Sequence, residues 1–339
     1  MLNSKHGGFM SKAKKITAIV FASILAVITI FLLSWYFGDS YKQFYPIATK
    51  EFEIAGLSDG FTPQGLCYND ATNQFLTCGY MKNGTASRIY VVDGETNQTT
   101  KYFTLKDGEK DYVGHAGGIA TNGVKVWVVG DKKVNVFAFS EIENVENGSS
   151  IAIEASFDPK NGADFVTVDG NYLWVGEFHK DGKYDTPDSH HIKSEKGNDL
   201  KALHLRFDID NSQSNGVAST TANCALSSGS LVQGMVITSS NIILSTSYSL
   251  PNSKLYVYEN VLSGASDTIE IDGVEIKHYT LQESNLKKTI SAPCMSEEIT
   301  IANDKVYIMF ESGCQKYRLF TREALKNVFS ITLEKITQI

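Results

Sequence analysis

The stretch His115–Ser140, HAGGIATNGVKVWVVGDKKVNVFAFS, contains three short strand signals separated by turn residues. Gly117–Thr121 is a run of small residues, Val126–Val129 is apolar, and Val134–Phe139 alternates apolar and polar residues. Asn122-Gly123 between the first two runs is a hairpin signal. The innermost strand of a β-propeller blade is crowded around the central channel, which favours glycine and alanine there. The stretch therefore predicts one propeller blade.

The same order of strands recurs four more times along the chain, which is the signature of a repeat architecture. The five repeats begin at Gln64, Gly117, Ala163, Gln233 and Glu297. The gaps between repeats leave room for a fourth, outer strand in each blade. We predict these outer strands at Thr100–Leu105, Ser150–Phe157, Val217–Leu226 and Ile276–Leu281. In the last repeat the predicted third strand is CQKYRLF, residues 314–320.

The last repeat shows no obvious outer strand of its own. Lys50–Ile54, KEFEI, precedes the first repeat and has the alternation needed to supply that strand. Joining the two ends of the domain in this way would close the ring and remove exposed sheet edges. We therefore predict an all-β fold with five four-stranded blades closed by an N-terminal strand. The alternative is six blades, if Thr268–Leu281 contains an additional hairpin.

The N-terminal segment predicts a membrane anchor. Residues 1–15 contain four lysines and no acid, and Ile16–Phe37 is a run of 22 residues without a charge. About 20 apolar residues span a bilayer, whereas the apolar region of a cleavable signal peptide has only about 7 to 15. We therefore expect an uncleaved transmembrane helix at 16–37, with residues 1–15 in the cytoplasm by the positive-inside rule. The rest of the chain is then expected outside the cell membrane.

The remainder of the chain divides into a short stalk, 38–47, and an extracytoplasmic propeller, 48–339. All 38 acids but only 27 of the 31 bases follow the anchor, so this part carries a net charge of −11. Nucleic-acid binding depends on basic patches and is disfavoured by this balance. The expected partners are a small molecule, glycan or protein outside the cell, together with the membrane itself.

Five cysteines are few for an exported domain, but their positions within the repeats are informative. Cys294 begins the inner strand of the last blade and Cys314 follows its second strand, which places both at the same end of the sheet. We predict a disulfide between them, given an oxidising compartment. Cys67 and Cys78 lie on facing strands of the first blade and are either a second disulfide or two buried thiols.

The sequence resembles exported bacterial β-propellers in the neighbourhood of the gluconolactonase-like and NHL-repeat proteins. Pro63–Leu66, Arg88–Asp93 and Lys305–Ser312 carry this resemblance, which covers about 50–320. Its motifs specify blades and no particular reaction. Gluconolactonase-like enzymes hold a divalent metal in the central channel with acidic and amide side chains, and this chain places comparable residue types there. No catalytic residue can be matched individually to that family.

Direction within a blade predicts the ligand site. Inner strands begin, and second strands end, on one face of a propeller, so side chains far apart in sequence converge there. The predicted ligand-binding residues are Gln64, His115, Asp164, Gln233, Glu297, Glu298, Glu177 and Glu311. The same face is expected to receive Tyr80, Asp131, His179 and Tyr248. It also receives the insertion Lys180–Asp199, which carries Asp181, Asp185, Asp188, His190 and His191 and could form a lid.

These residue types suit a polyhydroxylated ligand or a hard divalent cation such as calcium. Asp164 and Glu298 are the predicted metal ligands. The sequence leaves two functions open. The first is a membrane-anchored binding module that presents a polar funnel to a glycan, peptide or envelope ligand. The second is a metal-dependent hydrolase or lactonase with its site in the same funnel.

Overall fold

The computed structural model describes residues 12–37 and 41–338, which belong to two separate compact units. In the first unit, Lys12–Phe37 is a single helix of 26 residues. Its portion Lys12–Ser34 has a mean hydropathy of 2.8 and, by length and composition, can cross a membrane. Most of the predicted cytoplasmic segment, residues 1–11, lies outside the described residues, as do positions 38–40 of the predicted stalk.

The second unit is a five-bladed β-propeller with four strands in each blade, as predicted. The inner strands contact one another in ring order, blade 1 to blade 5 and back to blade 1. In order from inner to outer strand, the blades are Phe61–Asn69, Gln74–Met81, Arg88–Asp93 and Thr99–Asp107; Gly118–Thr121, Lys125–Gly130, Lys133–Ala138 and Ala155–Phe157; Phe165–Asp169, Tyr172–Gly176, Ala202–Asp208 and Cys224–Ser228; Val232–Ile237, Asn241–Thr246, Ser253–Glu259 and Leu286–Ala292; Ser296–Ala302, Lys305–Phe310, Asn327–Thr332 and Ala48–Glu53.

The N-terminal strand closes the ring as predicted. Ala48–Glu53 pairs antiparallel with Asn327–Thr332, which makes the first strand of the folded unit the outer strand of blade 5. The third strand of this blade differs from the prediction. Residues 314–320 form turns, and Asn327–Thr332 is the third strand, paired with Lys305–Phe310. Val328 and Phe329 of that strand face two different core clusters, which the irregular 314–320 run cannot do.

The insertion between the third and outer strands of blade 4 explains why the blade count is five and not six. Asp267–Ile271 and Val274–Thr280 do form a hairpin, but its second strand pairs parallel with Cys224–Ser228 at the edge of blade 3. The predicted outer strand of blade 4, Ile276–Leu281, therefore belongs to blade 3, and Leu286–Ala292 is the true outer strand. The predicted strand Ser150–Phe157 is also divided. Ser150–Ala152 pairs parallel with blade 1 and only Ala155–Phe157 completes blade 2.

Shorter elements connect these blades. The pair Ile192–Lys193 and Asp199–Leu200 lies in the long insertion of blade 3, and Lys110–Asp111 extends blade 1. The remaining helices are Ser140–Asn144 and Leu333–Thr337, with 3₁₀ turns at Leu57–Asp59, Asp188–His190 and Glu283–Asn285.

Part of the predicted stalk belongs to the folded unit. Residues 41–47 form turns, and Tyr41 and Phe44 are buried in the core cluster between blades 4 and 5. Phe44 packs edge-on against Phe310, with ring centroids 5.9 Å apart. The apolar side chains of this segment explain why it packs instead of extending into solvent.

The predicted disulfide is not formed in the structure, where all five cysteines are free and buried. Cys314 belongs to the core cluster between blades 1 and 5. Cys294 instead lies beside Tyr41, which belongs to the cluster between blades 4 and 5. The two thiols therefore pack on opposite sides of blade 5, although both lie near the same end of its sheet.

Candidate functional site

We call the face on which the inner strands begin the upper face, and the opposite one the lower face. Glu298 closes the channel between them. Its side chain is 1% exposed and accepts hydrogen bonds from the backbone N–H groups of three other blades. Leu66 and Ile119 donate to Oε2 at 2.8 Å each, and Val166 donates to Oε1 at 3.0 Å. One carboxyl group from blade 5 thus holds blades 1, 2 and 3.

Glycine makes room for this carboxyl group. A Cβ atom on Gly118 would lie 2.6 Å from Glu298 Oε1, and one on Gly234 would lie 2.8 Å from Glu298 Cα. The small residues that marked the inner strands in the sequence are therefore required by close approach at the channel. Below this plug a cavity of about 130 Å³ is lined by the inner strands. Glu298 therefore separates this cavity from the upper face.

The hydrogen bonds of Glu298 account for its burial without a metal. Burial raises the pKa of this carboxyl well above its usual range, and the three N–H groups oppose that shift. A carboxylate offers about four acceptor positions, of which three are occupied here. Glu298 is therefore built as a structural link between blades, and its place in a metal site stays a prediction.

Four predicted residues form one hydrogen-bonded chain on the upper face. Gln64 Nε2 donates to Glu311 Oε2 at 3.0 Å, and Gln64 Oε1 lies 2.6 Å from His115 Nε2. Because Gln64 Nε2 also donates to the Pro63 carbonyl, its oxygen must accept, and His115 must carry its proton on Nε2. The carboxyl groups of Glu297 and Glu311 are hydrogen-bonded to each other.

The Glu297–Glu311 pair must hold a proton, since two carboxylates cannot bond to each other otherwise. Burial raises the pKa of Glu311 to about 7. Burial, and then the neighbouring Glu311, raise the pKa of Glu297 well above its usual range. Glu297 is 2% exposed, so it keeps the proton and donates it to the more accessible Glu311. The pair can therefore accept or release one proton near neutral pH.

An aromatic and basic wall borders this chain. The rings of Tyr80 and His115 stack with centroids 4.8 Å apart. Lys316 Nζ donates to Tyr80 Oη at 2.7 Å and lies 4.8 Å from the centre of the Tyr317 ring. Burial lowers the pKa of His115, and nearby Lys316 acts in the same direction while Asp131 opposes it. The imidazole is therefore neutral at pH 7 and presents Nδ1 as an acceptor.

A second polar group lies under the blade 3 insertion. Glu177 is fully buried, with Oε1 2.9 Å from His190 Nδ1 and Oε2 accepting from the Leu203 N–H at 2.9 Å. Asp164 Oδ2 accepts from the Phe178 N–H at 2.7 Å. Burial, reinforced by the charge of Glu177, raises the pKa of Asp164 to about 7. Asp164 and Glu177 thus approach each other, apart from the chain around Glu311.

The insertion Lys180–Asp199 is docked by specific contacts. His190 reaches the buried Glu177, and Lys183 Nζ donates to Tyr248 Oη at 3.1 Å. At its far end, Glu195 accepts the Ser284 N–H at 2.8 Å through Oε1. The insertion therefore rests on blade 4, through Tyr248 and through the 3₁₀ turn that precedes its outer strand. Its role as a lid stays a prediction.

Within the insertion, one histidine and two aspartates lie close enough to hold a cation. One ligand atom from each of His179, Asp181 and Asp185 lies within 4.8 Å of the others. Among residues 12–37 and 41–338 no other group of three such side chains meets this distance. The predicted pair Asp164 and Glu298 is not part of it. Lys201 Nζ already donates to Asp181 Oδ1 at 2.6 Å, which neutralises part of the available charge.

The remaining predicted residues lie on the upper face without joining either group. Gln233 is half-buried at the start of the inner strand of blade 4, and Asp131 is exposed after the second strand of blade 2. Sequence reasoning missed Lys316 and Tyr317, because their segment was read as a strand. The adjacent apolar pair Leu319-Phe320 between basic residues breaks the strand alternation and was the available signal.

Left-handed backbone precedes all five inner strands, with glycine, Gly60 at φ 91°, only before blade 1 and other residues before the remaining four. The residues are Ala116, Ala163, Leu231 and Met295, with φ values of 48°, 51°, 69° and 62°. Each lies one or two positions before its strand, where the chain turns into the channel. Non-glycine residues in this region cost about 1–3 kcal/mol each and cluster at functional sites. This repeated turn was not visible in the sequence, since glycine marks it only at Gly60.

Comparison with known proteins assigns neither a family nor a function. No protein-family model matches the sequence, and no curated protein matches it. Similar solved structures include the glutaminyl cyclase of Myxococcus xanthus, with TM-score 0.40, 8% identity and coverage of 84% of this chain and 95% of that one. The tail fibre of Staphylococcus aureus phage P68 has TM-score 0.45 and 9% identity, with coverage of 91% of this chain and 57% of that one. BamB from Moraxella catarrhalis has TM-score 0.33 and 9% identity, with coverage of 80% of this chain and 85% of that one. The propeller assignment itself rests on the sheet order described above.

Proposed function

We propose that this protein is a membrane-anchored extracytoplasmic binding module whose upper face holds a neutral, polyhydroxylated ligand such as a glycan. The observation that carries the proposal is the chain from His115 through Gln64 to Glu311 and Glu297 above a plugged channel. Binding sites of this kind are concave and combine a few fixed polar groups with aromatic surface. The Tyr80–His115 stack supplies that surface here.

The chemistry of the chain favours hydroxyl groups over a free cation. Glu297 holds a proton for Glu311, and His115 is neutral with an acceptor nitrogen. The group therefore offers both donors and acceptors, and a sugar hydroxyl can satisfy either kind. The proton of the acid pair also removes one of the charges that a hard divalent cation requires.

The location outside the cell is part of the proposal. The helix Lys12–Phe37 serves as an uncleaved anchor, since its apolar run exceeds that of a cleavable signal peptide. The lysines that precede its apolar run favour a cytoplasmic N-terminus and a propeller outside the cell.

The binding proposal is tested on the propeller unit, residues 41–339, because all five core clusters lie within it. A panel of cell-wall oligosaccharides and peptides is screened by calorimetry. For any ligand found, we expect His115→Ala and Glu311→Gln each to weaken binding at least tenfold, about 1.4 kcal/mol. Glu275→Gln, an exposed acid on the outer edge of blade 3, is the matched control. Wild-type affinity in both variants would refute the site.

A second candidate function is favoured by the His179, Asp181 and Asp185 group. A divalent cation such as calcium bound there would support the metal-dependent hydrolase or lactonase. Elemental analysis of the purified unit, before and after chelation, distinguishes the two functions. Stoichiometric metal that Asp185→Asn removes would favour the hydrolase, and no bound metal in the untreated protein would count against it.

A further inference from the structure

We propose that the segment Gln315–Arg322 of the upper face docks on an anionic lipid bilayer. This segment, QKYRLFTR, connects the second and third strands of blade 5. Leu319 is 83% exposed and Phe320 is 68% exposed, which are the two largest values among apolar side chains of the propeller unit. Adjacent large apolar residues left in water mark interaction surfaces more often than single ones do.

The charge of this segment points to the occupant. Gln315–Arg322 contains three basic residues and no acid, whereas the part of the chain after the apolar helix has 38 acids and 27 bases. A local basic patch with exposed Leu and Phe matches an anionic bilayer, where basic side chains meet headgroups and apolar side chains enter the boundary region. An acidic protein partner would not require the two bulky apolar side chains to project beyond their neighbours.

The C-terminal end of the segment is fixed within the propeller unit. Arg322 Cζ lies 5.2 Å from the centre of the Tyr41 ring, and Glu323 is hydrogen-bonded to Tyr45. These contacts hold the C-terminal end of the docking segment against Tyr41 and Tyr45 of the propeller unit.

Docking would place the ligand pocket beside the bilayer. Lys316 belongs to the docking segment and donates to Tyr80 Oη, and the Tyr80 ring stacks on His115 of the pocket. The pocket would then bind its ligand at the membrane surface.

The test uses the propeller unit, residues 41–339, with phosphatidylglycerol/phosphatidylcholine vesicles and with phosphatidylcholine vesicles alone. We expect sedimentation with the anionic vesicles that weakens in 0.5 M salt, and we expect Leu319→Ser/Phe320→Ser to reduce it at least tenfold. Val124→Ser/Val274→Ser is the matched control, because both valines are exposed in or directly after hairpin turns of the lower face. An unchanged urea midpoint confirms that each variant is folded.

A spectroscopic arm gives an independent readout. Trp127 and Trp174 are fully buried, so Phe320→Trp adds the single exposed tryptophan of this unit. Its emission should shift to the blue with anionic vesicles, and that of Val274→Trp should not. Absence of vesicle binding, or equal binding by the Leu319→Ser/Phe320→Ser variant, overturns the proposal. Because these measurements use no anchor and no pocket ligand, failure of the binding module or of the anchor would leave their outcome unaffected.

Discussion

Removing the carboxyl group of Glu298 should destabilise the propeller more than any single surface change. In Glu298→Ala the N–H groups of Leu66, Ile119 and Val166 lose their acceptor at once. A buried polar group left without a partner costs about 1–3 kcal/mol. Partial hydration of the vacated space reduces the sum for three groups, so we expect a loss of about 3–6 kcal/mol in unfolding free energy.

Glu298→Gln separates the loss of acceptors from the loss of volume. Its amide oxygen can still accept from Leu66 and Ile119, while the NH₂ group meets the Val166 N–H, donor against donor. One bond is lost instead of three, so the expected cost is about 1–3 kcal/mol. The stability order should be wild type, Glu298→Gln, Glu298→Ala.

Urea denaturation of residues 41–339 measures these differences. With a slope of about 3 kcal/mol per molar urea, Glu298→Ala should lower the midpoint by roughly 1–2 M. The exposed Glu275→Gln should leave the midpoint unchanged and serves as the control. If the unfolding free energy of Glu298→Ala lies within about 0.5 kcal/mol of the wild-type value, the three hydrogen bonds do not hold the blades together and the reasoning is refuted.

Three further predictions concern the acid pair, the insertion and the anchor. Burial raises the pKa of Glu311 to about 7, so the folded protein holds a proton that the unfolded chain releases above about pH 4.3. The free energy of unfolding should therefore fall as pH rises from 5 to 8, and urea titrations should show a smaller fall for Glu311→Gln. An equal fall in the variant would contradict the raised pKa of Glu311. His190→Ala removes the contact between the insertion and buried Glu177 and should speed tryptic cleavage within 180–199, whereas the exposed Asp188→Ala should not. Protease added to intact cells should remove the propeller and spare the N-terminus, and mature protein in the medium beginning near residue 38 would overturn the anchor.

The inner and second strands could be predicted from the sequence because the channel imposes a strong constraint on them. Gly118 and Gly234 are small since the Glu298 side chain and backbone approach them closely. Outer strands face solvent on one edge, so their alternation does not say which blade they join. Val274–Thr280 illustrates this, because it pairs with blade 3 although blade 4 precedes it in the chain.

The upper face was predictable as a set of residues but not as a set of partners. Strand direction placed Gln64, His115 and Glu311 on one face, and the structure joins them. Strand direction alone could not show that Glu298 points into the channel toward backbone N–H groups, while its neighbour Glu297 points to Glu311. Adjacent residues of a strand face opposite sides, and a bulge between Ser296 and Ile299 disturbs even that rule.

Closure of blade 5 by the first strand of the folded unit has a consequence for synthesis. Glu51 and its hydrogen-bond partner Ser330 are 279 residues apart in the chain. At a translation rate of about 5–20 residues per second, the strand Ala48–Glu53 is made on the order of 15–55 seconds before its partner strand leaves the ribosome. During that interval its edge is open to other chains, and the alternating charges Lys50, Glu51 and Glu53 discourage such pairing. The last blade can form only after nearly the whole protein has been made.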